Sequence, residues 1–417
     1  MRILHTADWH LGHSLHSIPR EFEHRRFLDW LADEVCAREV DALVVCGDVF
    51  DTIHPAASVV AMFYRFLADL RARCPGLDVV VIGGNHDSAA RLEVAAPLLE
   101  AFGVRIVGGV TRAADGTLET ERLLVPLRDA HGEVAAWCAA VPFLRIADLR
   151  VGGGDADNDP LIAGVEAIYA EVFDRLRASS EAGQATIALG HAYMVGGELS
   201  ELSERRVLGG NQHALPVSLF PADLGYVALG HLHKAQRVGG RDRVRYSGSP
   251  IPLSMGEIDY KHQVVVADFD GAECTGIETV PVPRFVEFVR VPRQGRADLE
   301  SVRVQLEALP ERGDEPEEER PFLEVRVTLS QPEPNLRHVV ERALEGRAPR
   351  LVRLSVELTG HGRSLADQND PDQDLSELAP EAVFRSCYER AFETEPSAEV
   401  LREFDELLEA VRSEEPT

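Results

Sequence analysis

Five apolar runs in this sequence each stop at an aspartate, histidine or asparagine. "RILHTADWH" ends on Asp8 and His10, "ALVVCGD" on Asp48, and "VVVIGGNH" on Asn85 and His86. "TIALGH" ends on His191, and "YVALGHLH" on His231 and His233. Short apolar runs bounded by glycine and polar residues read as buried strands. Unrelated strands have no reason to share such ends, so the strand termini are expected to meet at one place. In α/β sheets ligands bind beyond the carboxyl ends of the strands. The glycines beside several of these residues let the backbone turn sharply and come close to a ligand.

Between the runs lie helical patterns. Phe22, Phe27, Leu28, Leu31 and Val35 recur at helical spacing from Glu21 to Val35, and further helices are expected over Ser58–Arg73 and Ala163–Ala178. This alternation predicts an α/β domain over residues 1–275. "VGGGDADNDP", Val151 to Pro160, reads as a surface loop. Beyond residue 275 the texture changes. "RFVEFVRV", "FLEVRVTL" and "LVRLSVEL" alternate apolar and polar residues, with helices predicted at Leu299–Leu309 and Leu336–Leu344. They predict a smaller α+β domain over 276–365, in which the acidic run Glu311–Arg320 is a solvated loop.

A polar linker over 366–376 leads to a helical pair over 377–412. Val383, Phe384, Cys387, Tyr388 and Ala391 line one helix; Val400, Leu401, Phe404, Leu407, Leu408 and Val411 line the other. Such a pair is too small to bury its stripe alone. It either folds back onto the body or docks on a partner.

The formal net charge of −27 argues against strong autonomous binding to nucleic acid, while leaving room for a local basic patch. There is no run of 18 apolar residues and no leader-like N-terminus, so a cytoplasmic protein without a membrane span is expected. The six cysteines are scattered without a C-x-x-C pair and read as reduced thiols.

The residues at the strand ends constitute a ligand set. Carboxylates, imidazoles and one carboxamide give mixed nitrogen and oxygen coordination without thiolate, which suits manganese, iron or zinc and argues against calcium. There are enough donors for two ions about 3.5–4 Å apart that share one carboxylate. Two divalent ions against Asp8 and Asp48 leave the site positive, even in an acidic chain. That composition suits in-line hydrolysis of a phosphoester.

"DWH", "GDVFD", "GNHD", "GH" and "GHLH", in this order, resemble the calcineurin-like metallophosphoesterases. "HTADWHLG", "GDVFDT" and "GHLHKAQRV…VRYSGSPIPLSMGE" narrow the resemblance to the branch of double-strand-break repair nucleases over roughly residues 1–262. The resemblance implies an α/β metallophosphoesterase sandwich of two sheets flanked by helices, with a DNA-facing α+β cap. It places the C-terminal helical pair on a coiled-coil ATPase partner. Asp8, His10, Asp48 and His233 would hold one ion, and Asp48, Asn85, His191 and His231 a second, most simply Mn2+. His86 would be the catalytic histidine.

The expected activity is exonuclease and hairpin endonuclease action on DNA. It would be carried by a homodimer within a heterotetramer, paired through the helix around Ala57–Leu70. Hydrolysis of small phosphodiesters or phosphomonoesters is the alternative. Archaeal and eukaryotic relatives often carry a histidine where this chain has Asp51, with His54 three residues on. Asp87 either pairs with His86 or another loop group and fixes its orientation, or serves as a helix cap or loop hydrogen-bonding residue. His5 reads as a core histidine, and His13 either lines the site or contacts substrate. Trp9 is expected to pack beneath the first loop, and Arg237 and Arg245 either meet phosphates or lie in solvent. No substrate-binding residue is assigned.

Overall fold

The computed structural model describes residues 1–149, 159–198 and 214–359, together with Phe384, Tyr388, Leu401 and Phe404. The chain runs through β1 (Arg2–Thr6), α1 (Glu21–Ala37), β2 (Ala42–Cys46), α2 (Ala57–Arg73), β3 (Asp78–Ile82) and β4 (Val104–Val107). It continues through β5 (Leu124–Arg128), β6 (Val134–Ala140), α3 (Pro160–Ser179), β7 (Ala185–His191) and β8 (Tyr226–Gly230). β9 (Gln236–Val238), β10 (Arg241–Tyr246), β11 (Gln263–Asp270) and β12 (Glu273–Pro281) follow.

These strands form two six-stranded sheets, in the orders β12-β11-β1-β2-β3-β4 and β9-β10-β8-β7-β6-β5. β1 to β4 are mutually parallel, as are β6, β7, β8 and β10.

Every residue of β2 and β3 is buried, which explains why their sequences are apolar throughout instead of alternating. Val44, Cys46, Val80 and Ile82 belong to a core shared with Cys138, Ala140, Ile187 and Leu189 of the second sheet. Leu43, Val45, Val79 and Val81, one step out of phase, pack with Phe27, Leu31 and Val35 of α1 and Phe63, Phe66 and Leu70 of α2. Burying each such side chain contributes about 1.5–3 kcal/mol. On the far side of the second sheet, α3 buries Val165, Ile168, Val172 and Leu176.

The sequence supports five of these strands through their polar ends. It passes over β4 to β6 and β9 to β12, which carry no such residue. The five strand ends come from both sheets, not from one open sheet as the crevice rule supposes. The cysteine reading also changes. α1 and α2 pack side by side, and this brings the sulfurs of Cys36 and Cys74 together as a bonded pair. Cys46, Cys138 and Cys274 are buried and free, and Cys387 lies outside the described residues.

A third, smaller sheet follows: β13 (Phe288–Val291), β14 (Ala297–Asp298), α4 (Leu299–Glu307), β15 (Phe322–Leu329), α5 (Leu336–Ala343) and β16 (Arg350–Leu358). It has its own core, in which Val302, Leu306 and Val340 pack on Leu323, Val325 and Val327. A second cluster joins this sheet to the body, bringing Phe322 and Phe288 against Leu15, Met255 and Ile258.

Residues 330–332 and 358–417 form a separate unit. Within it Phe384, Tyr388, Leu401 and Phe404 are helical, and the Phe384 and Phe404 rings stack at 4.1 Å. The linker, Val383, Ala391, Val400, Leu407, Leu408 and Val411 lie outside the described residues, as does most of the loop after Val151.

At Gly230, the last residue of β8, the second sheet lies directly against the first. A Cβ there would lie 1.8 Å from the carbonyl oxygen of Cys46. Gly230→Ala is therefore expected to cost about 3 kcal/mol or more. Denaturant unfolding measures this, and a variant with the parent's midpoint would contradict so close an approach.

Candidate metal centre

The seven predicted ligands are brought together where the carboxyl ends of β1, β2, β3, β7 and β8 converge. Asp8, His10, Asp48, His191 and His233 are buried, and Asp8 is fully so. The loops that carry them are strained: Asp8, His10, Asp48 and His231 all have positive φ, at 54°, 45°, 48° and 106°. Backbone bonds brace the first two loops against each other, from Asp8 N–H to the Gly47 carbonyl and from His10 N–H to that of Asp48, both at 3.0 Å.

Asp48 is the hub. One carboxylate oxygen, Oδ1, accepts the His86 N–H at 2.8 Å. The other lies 3.4 Å from His191 Nε2 and 3.6 Å from His10 Nε2. Asn85 Oδ1 sits 2.9 Å from His191 Nε2 and 3.0 Å from His231 Nδ1, so it joins β3 to both histidine strands. Asp8, Asp48 and His191 offer ligand atoms within 4.8 Å of one another, and so do His10, Asp48 and His86.

His191, His233 and His10 are each held by one ring nitrogen on a group outside the predicted ligand set, as metal-binding imidazoles usually are. His191 Nδ1–H donates to the Cys46 carbonyl at 2.8 Å. His233 Nδ1 meets Glu257 Oε1 at 3.0 Å, and Glu257 is itself buried and accepts the Leu253 N–H at 2.8 Å. His10 Nδ1 meets Asp51 Oδ1 at 3.2 Å. The two histidines of "GHLH" thus diverge, His231 toward Asn85 and His233 toward Glu257, and the positive φ at His231 turns the chain between them.

Among the predicted ligands, two buried side-chain atoms are left without a hydrogen-bond partner, Asp8 Oδ2 and His10 Nε2. Stranding a buried carboxylate oxygen costs roughly 1–3 kcal/mol or more. Cations held beside Asp48 would give these atoms partners, so the donor set fits the metal that the residue types imply.

Burial and the neighbouring charges oppose one another at these residues. Burial alone would raise the Asp48 carboxyl, but His191, His10 and His86 hold it well below the usual carboxylate range. At Asp8 burial prevails over His191 and His233, and the carboxyl is raised. Burial also opposes a charged His191, yet Asp48 outweighs it and lifts this ring to about 9. Burial, then His191, push His231 down to about 3.

His86 is partly buried and donates its Nδ1–H to the Asp51 carbonyl at 2.8 Å, which leaves Nε2 as its working nitrogen. Asp87 accepts three backbone N–H groups, from Val49, Phe50 and Gly84, at 3.1, 3.0 and 2.9 Å. It ties the two loops together and does not pair with His86. His54 is exposed.

Asp51 anchors both His10 and His86, a role its sequence position did not suggest. Glu257 was equally hidden, since nothing in the spacing of "SMGE" links it to His233. Arg145 was also missed, and its Nη2 donates to the Asp87 carbonyl at 2.9 Å.

His5 is satisfied in the core, by Tyr226 Oη at 3.0 Å and the Leu229 carbonyl at 3.2 Å. Trp9 is fully buried against Phe27, Phe63 and Phe66, with its indole N–H on Thr6. His13 is partly buried, with Nδ1 unpartnered. Arg237 and Arg245 are taken up by Asp242 of their own hairpin.

Residues 1–235 match the calcineurin-like phosphoesterase family. Residues 284–392 match a family described as the type 5 capsule protein repressor C-terminal domain. The chain is 40% identical over 394 residues to the SbcD subunit of the SbcCD nuclease from Rhodobacter capsulatus, covering 93% of this chain and 94% of that protein. It is 32% identical over 390 residues to the Escherichia coli K12 protein of the same name, covering 92% of each. With the Bacillus subtilis protein it shares 35% over 285 residues, 67% of this chain and 69% of that one.

Glu257→Gln removes the negative charge behind His233 while keeping its size. Metal affinity measured by calorimetric titration is expected to fall about 10–100-fold. Unchanged affinity would show that His233 needs no such partner.

Proposed function

Because the chain belongs to the SbcD nuclease subunits of the calcineurin-like phosphoesterase family, we propose that its metal centre holds two ions bridged by Asp48. Asp8, His10, Asp48 and His233 hold one, and Asp48, Asn85, His191 and His231 the other. The chain is a DNA nuclease that hydrolyses phosphodiester bonds. The observation that carries the metal assignment is the pair of buried, unpartnered atoms beside Asp48, Asp8 Oδ2 and His10 Nε2. The ions, most simply Mn2+, supply Lewis acidity at the phosphoryl oxygens and a lowered pKa for water.

The protein's own groups do the rest. His86 is the catalytic histidine: its backbone N–H is fixed on Asp48 and its Nδ1–H on the Asp51 carbonyl, so the ring presents Nε2 in one orientation. From there it stabilises charge on the phosphoryl group or gives a proton to the departing oxygen. Asp51 keeps His10 and His86 in register.

The relatives are named as one part of a complex. By analogy this chain assembles with an SbcC-type coiled-coil ATPase through residues 377–412. It pairs with a second copy along α2, where Val59, Val60 and Tyr64 are only partly buried. It would act on DNA ends and hairpins in the cytoplasm; no helix among the described residues is long and apolar enough to cross a membrane.

His86→Ala is expected to lower manganese-dependent cleavage of a hairpin-ended duplex by about 10²–10⁴-fold. Metal stoichiometry should stay that of the parent. Loss of bound metal in the variant would make His86 a ligand instead, and full activity would remove it from the chemistry.

A further inference from the structure

The chain carries a formal charge of −27, yet three arginines of the small sheet converge on one buried carboxylate. The Glu324 side chain on β15 is only 2% exposed. Arg326 reaches its Oε2 through Nη2 at 2.7 Å and Nε at 2.9 Å. Arg353 lies 3.4 Å from Oε1, and Arg290, across the parallel pairing on β13, 3.3 Å from Oε2.

These arginines are not equivalent. Arg290 is committed to the body: it bonds Asp259 at 2.9 Å and donates to the Met255 carbonyl. Arg326 and Arg353 are more exposed, at 27% and 35%, and Glu324 is their one acidic partner among the described residues. Three guanidiniums against Glu324 and Asp259 leave the cluster positive.

Its position relates it to the metal centre. Phe322 and Glu324 lie two apart on one strand and so share a face, and Phe322 packs on Leu15 and Met255 of the body. Met255 is two residues from Glu257, the carboxylate behind His233. On the other side, burial and then the Arg353 guanidinium depress His16, which lies in the loop that follows Asp8 and His10. The cluster therefore borders the seam between the small sheet and the loops of the metal site.

We propose that Arg326 and Arg353, fanned around buried Glu324, form a binding site for backbone phosphates of the DNA strand that enters the metal centre. A buried glutamate holds both guanidiniums in place and leaves N–H donors free for bidentate contact with phosphate. Positive charge at this seam lets an acidic protein grip DNA close to the metal centre. The assignment rests on the nuclease activity of the family.

The test uses the full-length chain with manganese, a labelled DNA duplex and bis(p-nitrophenyl) phosphate, across a salt series. In the Arg326→Ala/Arg353→Ala protein, kcat/KM for DNA is expected to fall at least about tenfold near 0.1 M salt. The slope of log kcat/KM against log salt should become shallower by about 1.8, roughly 0.9 per lost phosphate contact. Hydrolysis of the small diester should stay within about twofold of the parent, because it spans no second phosphate. The Arg→Lys pair should keep the parental salt slope. A parental slope and rate in the double-alanine protein would overturn the assignment. So would an equal loss on both substrates, since the cluster would then act through the fold. DNA left intact by the parent itself would fail the nuclease reading, not the cluster alone.

Discussion

Two sheets converge on the Cys46 carbonyl, and the site depends on how closely they approach. That oxygen accepts the His191 Nδ1–H, and Gly230 passes so near that no side chain fits between. Gly47, with φ of +85°, faces the same imidazole, and a Cβ there would lie 2.3 Å from its Nδ1. The contact is made by backbone and one ring, so it holds His191 from the second sheet in place over Asp48 from the first. The interdigitated core behind it, from Val44 and Ile82 to Ile187 and Leu189, keeps that spacing rigid.

The site stores strain and unsatisfied polarity that the core must support. Four predicted ligands sit at positive φ, a conformation costly for residues with side chains. Asp8 and His10 bring buried atoms without a partner. Both features are unfavourable for folding alone and favourable for holding cations in a preorganised geometry. Around them lies a second layer made of Asp51, Asp87, Glu257 and the Cys46 carbonyl, which orients the rings and loops without supplying the predicted ligands.

Much of this was legible in the sequence, for a definite reason. A strand buried on both faces is apolar throughout, so a polar residue at its end stands out, and the five strands that carry the site announced themselves in this way. Strands without a polar terminus, such as Leu124–Arg128 and Arg241–Tyr246, gave no comparable signal. Each predicted ligand was legible because a strand end is local in sequence, and the packing of the two sheets makes the ends converge. Glu257 and Asp51 stayed hidden because their contacts to His233 and His10 arise only when distant segments pack. Likewise, the three arginines around Glu324 come from three strands, and no spacing in the sequence links them.

The proposed centre depends on one carboxylate, Asp48, serving two ions at the meeting point of the two sheets. Anomalous diffraction at the manganese edge, on crystals of the chain grown with Mn2+, tests it most directly. Two peaks about 3.5–4 Å apart, with Asp48 between them, are expected. One of them should be flanked by Asp8, His10 and His233, and the other by Asn85, His191 and His231. A single peak at saturating metal, or two peaks that do not share Asp48, would contradict it.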